Sequence, residues 1–293
     1  GTFTDLVCID DTGALHTSKT PSTPDDPARG VMDGLDVLAQ SMSLDLKSLL
    51  GATHLFLHGS TVATNLVVER KGAALGLITT AGFRDLIELR DGSKQNRYDI
   101  RSPFPQPLIR RPLRLEVTER TAANGSIEVT LDEDAVRSAI TELRDAKVSS
   151  LVVFFVNSHR NGAHERRVRE LVEDSAWTPF ISLSHEVLSR EGEYDRISTA
   201  AVNAYVGPGL GGYLERLAIA LADNGLSAPV LVMQSSGGVV PLEQAVRLAV
   251  GSVTSGPAGG AMAGALFARL CSESHLVTYD MGGTSTDICL IEQ

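Results

Sequence analysis

Apolar residues recur along this chain in two alternating rhythms. Short runs of β-formers occupy Leu6–Ile9, 54–58, Ala73–Thr79, Leu151–Val156, Phe180–Leu183 and Val230–Met233. Between them lie stretches of helical spacing: Ala28–Leu50, with Val31, Leu35, Leu38 and Met42 on one face, then Ala63–Arg70, Ala163–Asp174 and Tyr194–Asn224. A further helix starts at Asp132, an N-cap followed by Glu133 and Asp134 in the first turn. Leu151–Val156 lacks polar alternation, as expected of a strand buried on both faces. Strands alternating with helices predict an α/β fold with a mostly parallel or mixed sheet.

The punctuation adds detail. Asp10-Asp11-Thr12-Gly13 predicts a turn joining Leu6–Ile9 to Ala14–Lys19. Residues 91–130 are rich in proline and arginine, and Ala123-Asn124-Gly125 predicts a hairpin between Leu113–Thr121 and Ser126–Leu131; together they read as a β-rich insertion. Gly207-Pro208-Gly209 is expected to break the helix in which it sits. His164-Glu-Arg-Arg167 is expected on a solvated helix face. Ser255-Gly256-Pro257 is expected to cap a helix of small residues, Ala258–Arg269. From Val277 to Ile291 the chain reads as strand, Gly282-Gly283 turn, strand.

That closing hairpin has a copy. Gly1-Thr2-Phe3-Thr4-Asp5-Leu6-Val7-Cys8-Ile9 aligns without gaps with Gly283-Thr284-Ser285-Thr286-Asp287-Ile288-Cys289-Leu290-Ile291. Gly, Thr, Thr, Asp and the final Ile coincide. Glycines in such turns let backbone N–H groups approach a ligand, which is how a phosphate is cradled, although a bare structural turn uses the same residues. A carboxylate entering the turn, as Asp280 does, suits a divalent cation. Two copies so far apart suggest two related half-domains offering phosphate loops to one nucleotide.

Composition narrows the choice. A net charge of −10 argues against a nucleic-acid surface, and leaves local N–H groups and a cation to hold an anionic nucleotide. No apolar run is long enough to span a membrane, and no signal peptide is visible. Cys8, Cys271 and Cys289 form no CxxC pair, which fits a reducing, cytoplasmic location. The chain opens without methionine inside a glycine motif, and is expected to be part of a longer protein.

These motifs resemble the ATP-dependent hydantoinase/5-oxoprolinase family, within the actin, sugar-kinase and heat-shock ATPase superfamily. The resemblance rests on Gly1-Thr-Phe-Thr-Asp5, His58-Gly-Ser-Thr-Val-Ala-Thr-Asn65, Leu77-Ile-Thr-Thr-Ala-Gly-Phe-Arg-Asp85, Asn203-Ala-Tyr-Val-Gly-Pro208, Ser255-Gly-Pro-Ala-Gly-Gly260 and Asp280-Met-Gly-Gly-Thr-Ser-Thr-Asp287. It implies an actin-like (ribonuclease-H-like) first half with a mixed sheet flanked by helices, then the opening hairpin of a second half. The implied domains are 1–190, a hydantoinase A N-terminal domain, and 191–293, the start of a hydantoinase/oxoprolinase domain. The implied chemistry is ATP-driven phosphorylation of a lactam or imide carbonyl, followed by ring-opening hydrolysis. Alternatives are the ATPase subunit of a ketone carboxylase of the acetone carboxylase type, or a nucleotide-dependent actin-like switch.

Site residues follow from the repeat and the resemblance together. Gly1, Thr2, Thr4, Gly282, Gly283 and Thr284 are the expected phosphate contacts, with Gly256 and Gly259 on a connector helix beside the nucleotide. Asp5 and Asp280 are the expected catalytic carboxylates, and Asp280 the expected Mg²⁺ ligand. Asp5 and Asp287 either help with the cation or accept hydrogen bonds from their turns. His58 and Thr61 either cap a helix or bind substrate, and Arg84-Asp85 either reach substrate or form an exposed ion pair. Expected partners are a small cyclic amide and a second, hydantoinase B-type subunit or domain, in a homo- or hetero-oligomer, with neither nucleic acid nor membrane. An adenosine-binding segment is expected beyond Gln293, and an aspartate before Gly1.

Overall fold

A computed structural model describes residues 2–23, 25–92, 98–99, 101, 105–281 and 286–292. In chain order the elements are β1 (Phe3–Ile9), β2 (Leu15–Pro21), α1 (Pro27–Ser41), α2 (Leu46–Gly51), β3 (Phe56–His58), α3 (Val62–Val68), β4 (Leu75–Thr80) and α4 (Leu86–Leu89). Next come β5 (Arg114–Val117), β6 (Arg120–Thr121), β7 (Ile127–Val129), α5 (Glu133–Asp145), β8 (Ser150–Phe154), α6 (Ala163–Asp174), β9 (Phe180–Leu183), α7 (Ser184–Val187) and α8 (Glu193–Asp223). The last are β10 (Val230–Met233), β11 (Val239–Pro241), α9 (Leu242–Arg247), α10 (Ser255–Cys271), β12 (His275–Met281) and β13 (Thr286–Glu292). Among the described residues no helix is long and apolar enough to cross a membrane.

Local chemistry accounts for many of these boundaries. In the β1–β2 turn the Asp10 carboxylate accepts from the N–H groups of Thr12 (2.9 Å) and Ala14 (3.0 Å). The single helix expected over Ala28–Leu50 divides in two, because Ser43 turns left-handed (φ 59°) and Asp45 starts α2 by accepting from Ser48 N (2.6 Å). Asp132 caps α5 through Ala135 N (3.0 Å), as its position predicts.

The strands form five separate sheets among the described residues, not one. The chain divides into two compact units, one of Gly1–Asn65 with Gly209–Gln293 and one of Leu66–Pro208. This spatial division is discontinuous in sequence, unlike the expected boundary near residue 190.

The Leu66–Pro208 unit is built on a parallel sheet in the order β5-β4-β8-β9. Every residue of β4 and β8 is buried, as the apolar run in β8 requires. Ile78, Val153 and Phe155 pack against Val136, Ile140 and Leu143 of α5 and Val168 and Leu171 of α6. Arg114–Val117, expected as one arm of a hairpin, instead pairs in parallel with β4, so only the two residues of β6 meet β7. The expected insertion is therefore partly absorbed into the main sheet.

α8 runs without interruption through Pro208. Proline inside a helix costs about 3 kcal/mol. Burial offsets that cost: Val206, Leu210 and Leu214 are fully enclosed, each contributing about 1.5–3 kcal/mol. A Cβ on Gly207 would lie 2.4 Å from the Phe180 ring, so close helix–strand contact also needs the glycine.

In the other unit, β1–β2 and β12–β13 are hairpins, and β11-β10-β3 is a small mixed sheet. The repeated sequence is thus a strand in both copies, while Gly1 and Gly282–Ser285 lie outside the described residues. α1 covers one face of β1–β2, where a Cβ on Gly34 would sit 2.3 Å from Leu6 Cδ1. α10 covers one face of β12–β13, where a Cβ on Gly264 would sit 2.2 Å from Thr278 Cγ2 and 2.5 Å from Ile291 Cδ1. The opposite faces stay open, with Phe3, Val7 and Ile9 exposed on one hairpin and Val277, Tyr279, Ile288 and Leu290 on the other.

Gly264→Ala separates helix propensity from packing. Alanine gains up to about 1 kcal/mol in a helix, but overpacking costs about 1–3 kcal/mol. The substitution is expected to lower stability and to speed amide exchange in β12 and β13. Slower exchange there would mean that the glycine is not needed for the contact.

Candidate functional site

The site is assembled around α10. β3 and β10 run parallel, with Val232 opposite His58, and their carboxyl ends deliver the loop His58-Gly59-Ser60-Thr61. α10 begins against this loop. Ser255 lies inside the helix, not at its cap, and its hydroxyl donates to Ser60 O (3.1 Å). The N-cap is Thr254, left-handed at φ 61° and without a side-chain capping bond; its N–H donates to Thr64 Oγ1 (2.9 Å). Gly256 faces Thr61, with 3.8 Å from its would-be Cβ to Thr61 Cγ2, and Gly259 faces Met233 at 3.6 Å. Four of the expected residues, Gly256, Gly259, His58 and Thr61, therefore share one corner.

Within that corner His58 and Thr61 differ. Thr61 is exposed at the loop tip, whereas His58 is buried with Nε2 2.8 Å from the Tyr213 hydroxyl. Burial pushes the imidazole down from 6.5 to about 4, so near neutral pH a neutral ring shares one hydrogen with the Tyr213 hydroxyl. Burial also raises the Tyr213 phenol well above its ordinary value. His58 thus braces the loop from inside, while Thr61 stands at its exposed tip. Tyr213, far along α8, was not signalled by any local motif.

The second cluster lies at the turn end of β12–β13. Asp280 and Asp287 are opposite one another in the hairpin register. By strand alternation both project to the face that α10 covers, and both line a cavity of about 410 Å³ with Pro257, Gly260, Phe267 and Tyr279. Directly opposed residues have Cα atoms about 4.5–5.5 Å apart, so two like-charged side chains stand side by side on one face of the hairpin. A divalent cation reverses the sign of that interaction. Mg²⁺ needs only one or two carboxylates because it keeps several waters, so this pair fits it. Among the described residues no group of three or more His, Cys, Asp or Glu side chains is placed to hold a metal.

The first hairpin is arranged differently. Thr2 is exposed and its carbonyl accepts from Ser22 N (3.0 Å). Thr4 points to α1, 3.5 Å from the would-be Cβ of Gly30, while Asp5 lies on the opposite face and pairs with Lys19 Nζ at 2.8 Å. Arg84 and Asp85 belong to the Leu66–Pro208 unit. There Arg111 grips Asp85 through two 2.9 Å hydrogen bonds that hold its carboxyl below the usual range, and Arg84 Nε lies 3.7 Å from Glu116 Oε2. Gly1, Gly282, Gly283 and Thr284 are outside the described residues.

Comparison with known proteins gives consistent matches. The family model described as the hydantoinase/oxoprolinase N-terminal region matches residues 1–176, and that described as hydantoinase/oxoprolinase matches residues 196–293. The chain is 36% identical over 292 residues to the caprolactamase subunit alpha of Pseudomonas jessenii, covering 99% of this chain and 42% of that subunit. The crystal structure of the ATP-dependent caprolactamase from that organism superposes with a TM-score of 0.86 at 35% identity. The acetophenone carboxylase gamma subunit of Aromatoleum aromaticum is 32% identical over 305 residues, with 99% of this chain and 41% of that subunit covered. A nucleotide-free acetone carboxylase superposes with a TM-score of 0.90 at 27% identity, over 100% of this chain and 42% of that one.

Burial of His58 makes a signed prediction. Between pH 6.5 and about 4 the unfolded imidazole takes a proton that the folded one refuses. Stability is therefore unaffected by this group above pH 6.5, declines by about 1.4 kcal/mol per unit as pH falls towards 4, and levels off below. Denaturant unfolding of wild type and His58→Gln across this range should show the decline, about 3 kcal/mol in total, only in wild type. Parallel curves would place His58 in contact with water.

Proposed function

The chain belongs to the hydantoinase/oxoprolinase family, and we propose that it forms the nucleotide-handling part of an ATP-dependent cyclic amidohydrolase. The observation that carries this reading is the opposition of Asp280 and Asp287 on the α10 face, near the end of the β12–β13 ladder. In this reading the fold is the first half of an actin-like ATPase, with a family-level boundary near residue 190. ATP, when bound, supplies a phosphoryl group that makes the amide carbonyl oxygen a leaving group. The chain's part is to position and neutralise, which is most of what phosphoryl transfer asks of a protein. Asp280, with Asp287 opposite, holds Mg²⁺. Gly282, Gly283 and Thr284, with Gly1, Thr2 and Thr4, supply phosphate contacts, and Gly256 and Gly259 keep the α10 surface free of side chains. Asp5, the other expected catalytic carboxylate, is held in an exposed ion pair with Lys19 that a cation or substrate would have to displace.

The substrate is a small cyclic amide, and the working assembly includes a second, hydantoinase B-type subunit in the cytoplasm. Supporting this, one similar protein is a caprolactamase alpha subunit and the related crystal structure is of an ATP-dependent caprolactamase. A second reading, the ATPase subunit of a ketone carboxylase, is favoured by the similarity to acetone and acetophenone carboxylases.

The complete protein with its partner subunit decides between them. Phosphate release should depend on a lactam, hydantoin or 5-oxoproline and be accompanied by ring opening. Release dependent on a ketone with bicarbonate would select the second reading. In either case Asp280→Asn should lower kcat by about 100-fold or more, because an amide supplies no charge to the cation. Wild-type turnover in that variant would remove Asp280 from the site.

A further inference from the structure

The Leu66–Pro208 unit holds a polar cluster that the nucleotide reading does not use. In its sheet β4 connects to β5 on one side, while the adjacent β8 continues to β9 on the other. Connections thus leave the neighbouring strands β4 and β8 in opposite directions, and in open α/β sheets the crevice beyond the carboxyl ends at such a point is the usual ligand position. Three segments converge there: Thr80 at the end of β4, Glu119 just after β5, and His164 in the first turn of α6.

Their contacts form a directed chain. Thr80 Oγ1 accepts from Val156 N (3.1 Å) and donates to Glu119 Oε1. Glu119 Oε2 lies 2.8 Å from His164 Nδ1, and the Glu119 side chain is fully enclosed. The Phe155 ring meets the imidazole edge-on, with centroids 6.4 Å apart. A carboxylate only accepts, so the hydrogen of this bond sits on Nδ1, and in the neutral ring Nε2 keeps its lone pair. Among the described residues Nε2 has no hydrogen-bond partner, and His164, 7% exposed, does not seal it from solvent. Its neighbour pair contrasts: Glu165 Oε2 lies 2.6 Å from His185 Nδ1, but His185 Nε2 is already 3.3 Å from Arg166 Nη1.

A histidine oriented by a buried carboxylate at one nitrogen and open at the other is built to accept a hydrogen bond or a proton from a small molecule. We propose that Glu119 and His164 form a ligand site at the carboxyl edge of this sheet, where His164 Nε2 accepts the ring N–H of a cyclic amide. The class of ligand rests on the amidohydrolase reading; the site itself rests on the geometry. His164 is the contacting residue and Glu119 the positioning one.

Equilibrium dialysis of radiolabelled ε-caprolactam without ATP tests this on the complete protein. Wild type should bind it, His164→Ala should weaken binding by about tenfold or more, the value of one lost hydrogen bond, and N-methylcaprolactam should compete about tenfold less well. Glu119→Gln should fall between, and His164→Gln, with circular dichroism and melting, controls for folding. Equal binding by wild type and His164→Ala, or equal competition by the N-methyl compound, overturns the site even if wild type turns over lactams. Absence of both lactam binding and lactam turnover in wild type overturns the amidohydrolase reading and the assigned ligand with it.

Discussion

A carboxylate enclosed without water must have its lone pairs taken, and Glu165 shows how much of one unit is arranged to satisfy that demand. It accepts from Phe155 N (3.0 Å), Ser184 Oγ (2.6 Å), His185 N (3.1 Å) and His185 Nδ1 (2.6 Å). Burial alone would raise its pKa, yet the bonds from His185 and Ser184 outweigh burial and hold it below the usual range. Ser184 in turn receives Arg196 Nη1 (3.1 Å), which also donates to Ser158 Oγ (2.5 Å), while Arg196 Nη2 donates to Phe155 O (3.2 Å). One buried acid thereby fixes the end of β8, the start of α7, the first turn of α6 and the first turn of α8. Removing one partner from such a network costs about 3–5 kcal/mol, so the carboxyl edge of this sheet is stiff. His164 inherits that stiffness, because it shares the first turn of α6 with Glu165.

The corner around the start of α10 uses the opposite strategy. Its buried polar groups, His58, Tyr213 and Ser255, are neutral near pH 7, and its tightest contact is made where a side chain is missing, at Gly264. The acidic side chains of Asp280 and Asp287 lie outside this neutral frame, opposite one another at the hairpin end.

What could be read from the sequence was whatever depends on neighbours along the chain. Phe180–Leu183, Val230–Met233 and Ala163–Asp174 begin and end as their patterns predict, because propensity, capping and burial agree there. Disagreement arises where distant partners decide. Pro208 should end a helix, but enclosed residues on either side keep α8 whole. Arg114–Val117 should join the Asn-Gly hairpin, but β4 offers it a longer parallel ladder. His164-Glu165 should face water at the polar start of a helix; both are buried because their partners, Glu119 and His185, come from elsewhere in the chain. The Tyr213–His58 bond spans 155 residues, and no local pattern carries it. Of the candidate site, the presence of carboxylates on both sides of the Gly-Gly pair was legible, while the direct opposition of Asp280 and Asp287 was not, because a two-residue turn sets a different register.

The repeated hairpin shows why a shared motif does not imply a shared role. Both copies carry Gly-Thr-x-Thr-Asp, and both place the aspartate on a strand backed by a glycine-bearing helix. Alternation puts Asp5 on the face away from α1, where Lys19 neutralises it, although both side chains remain well exposed to water. Asp287 lies on the face towards α10, and its register partner is a second carboxylate. A divalent cation entering between the two hairpin acids gains attraction from both, whereas at Asp5 it must first displace a lysine. The same aspartate therefore meets a lysine across the ladder in one copy and a second carboxylate in the other. What separates them is the charge of the residue across the ladder, which the motif does not contain.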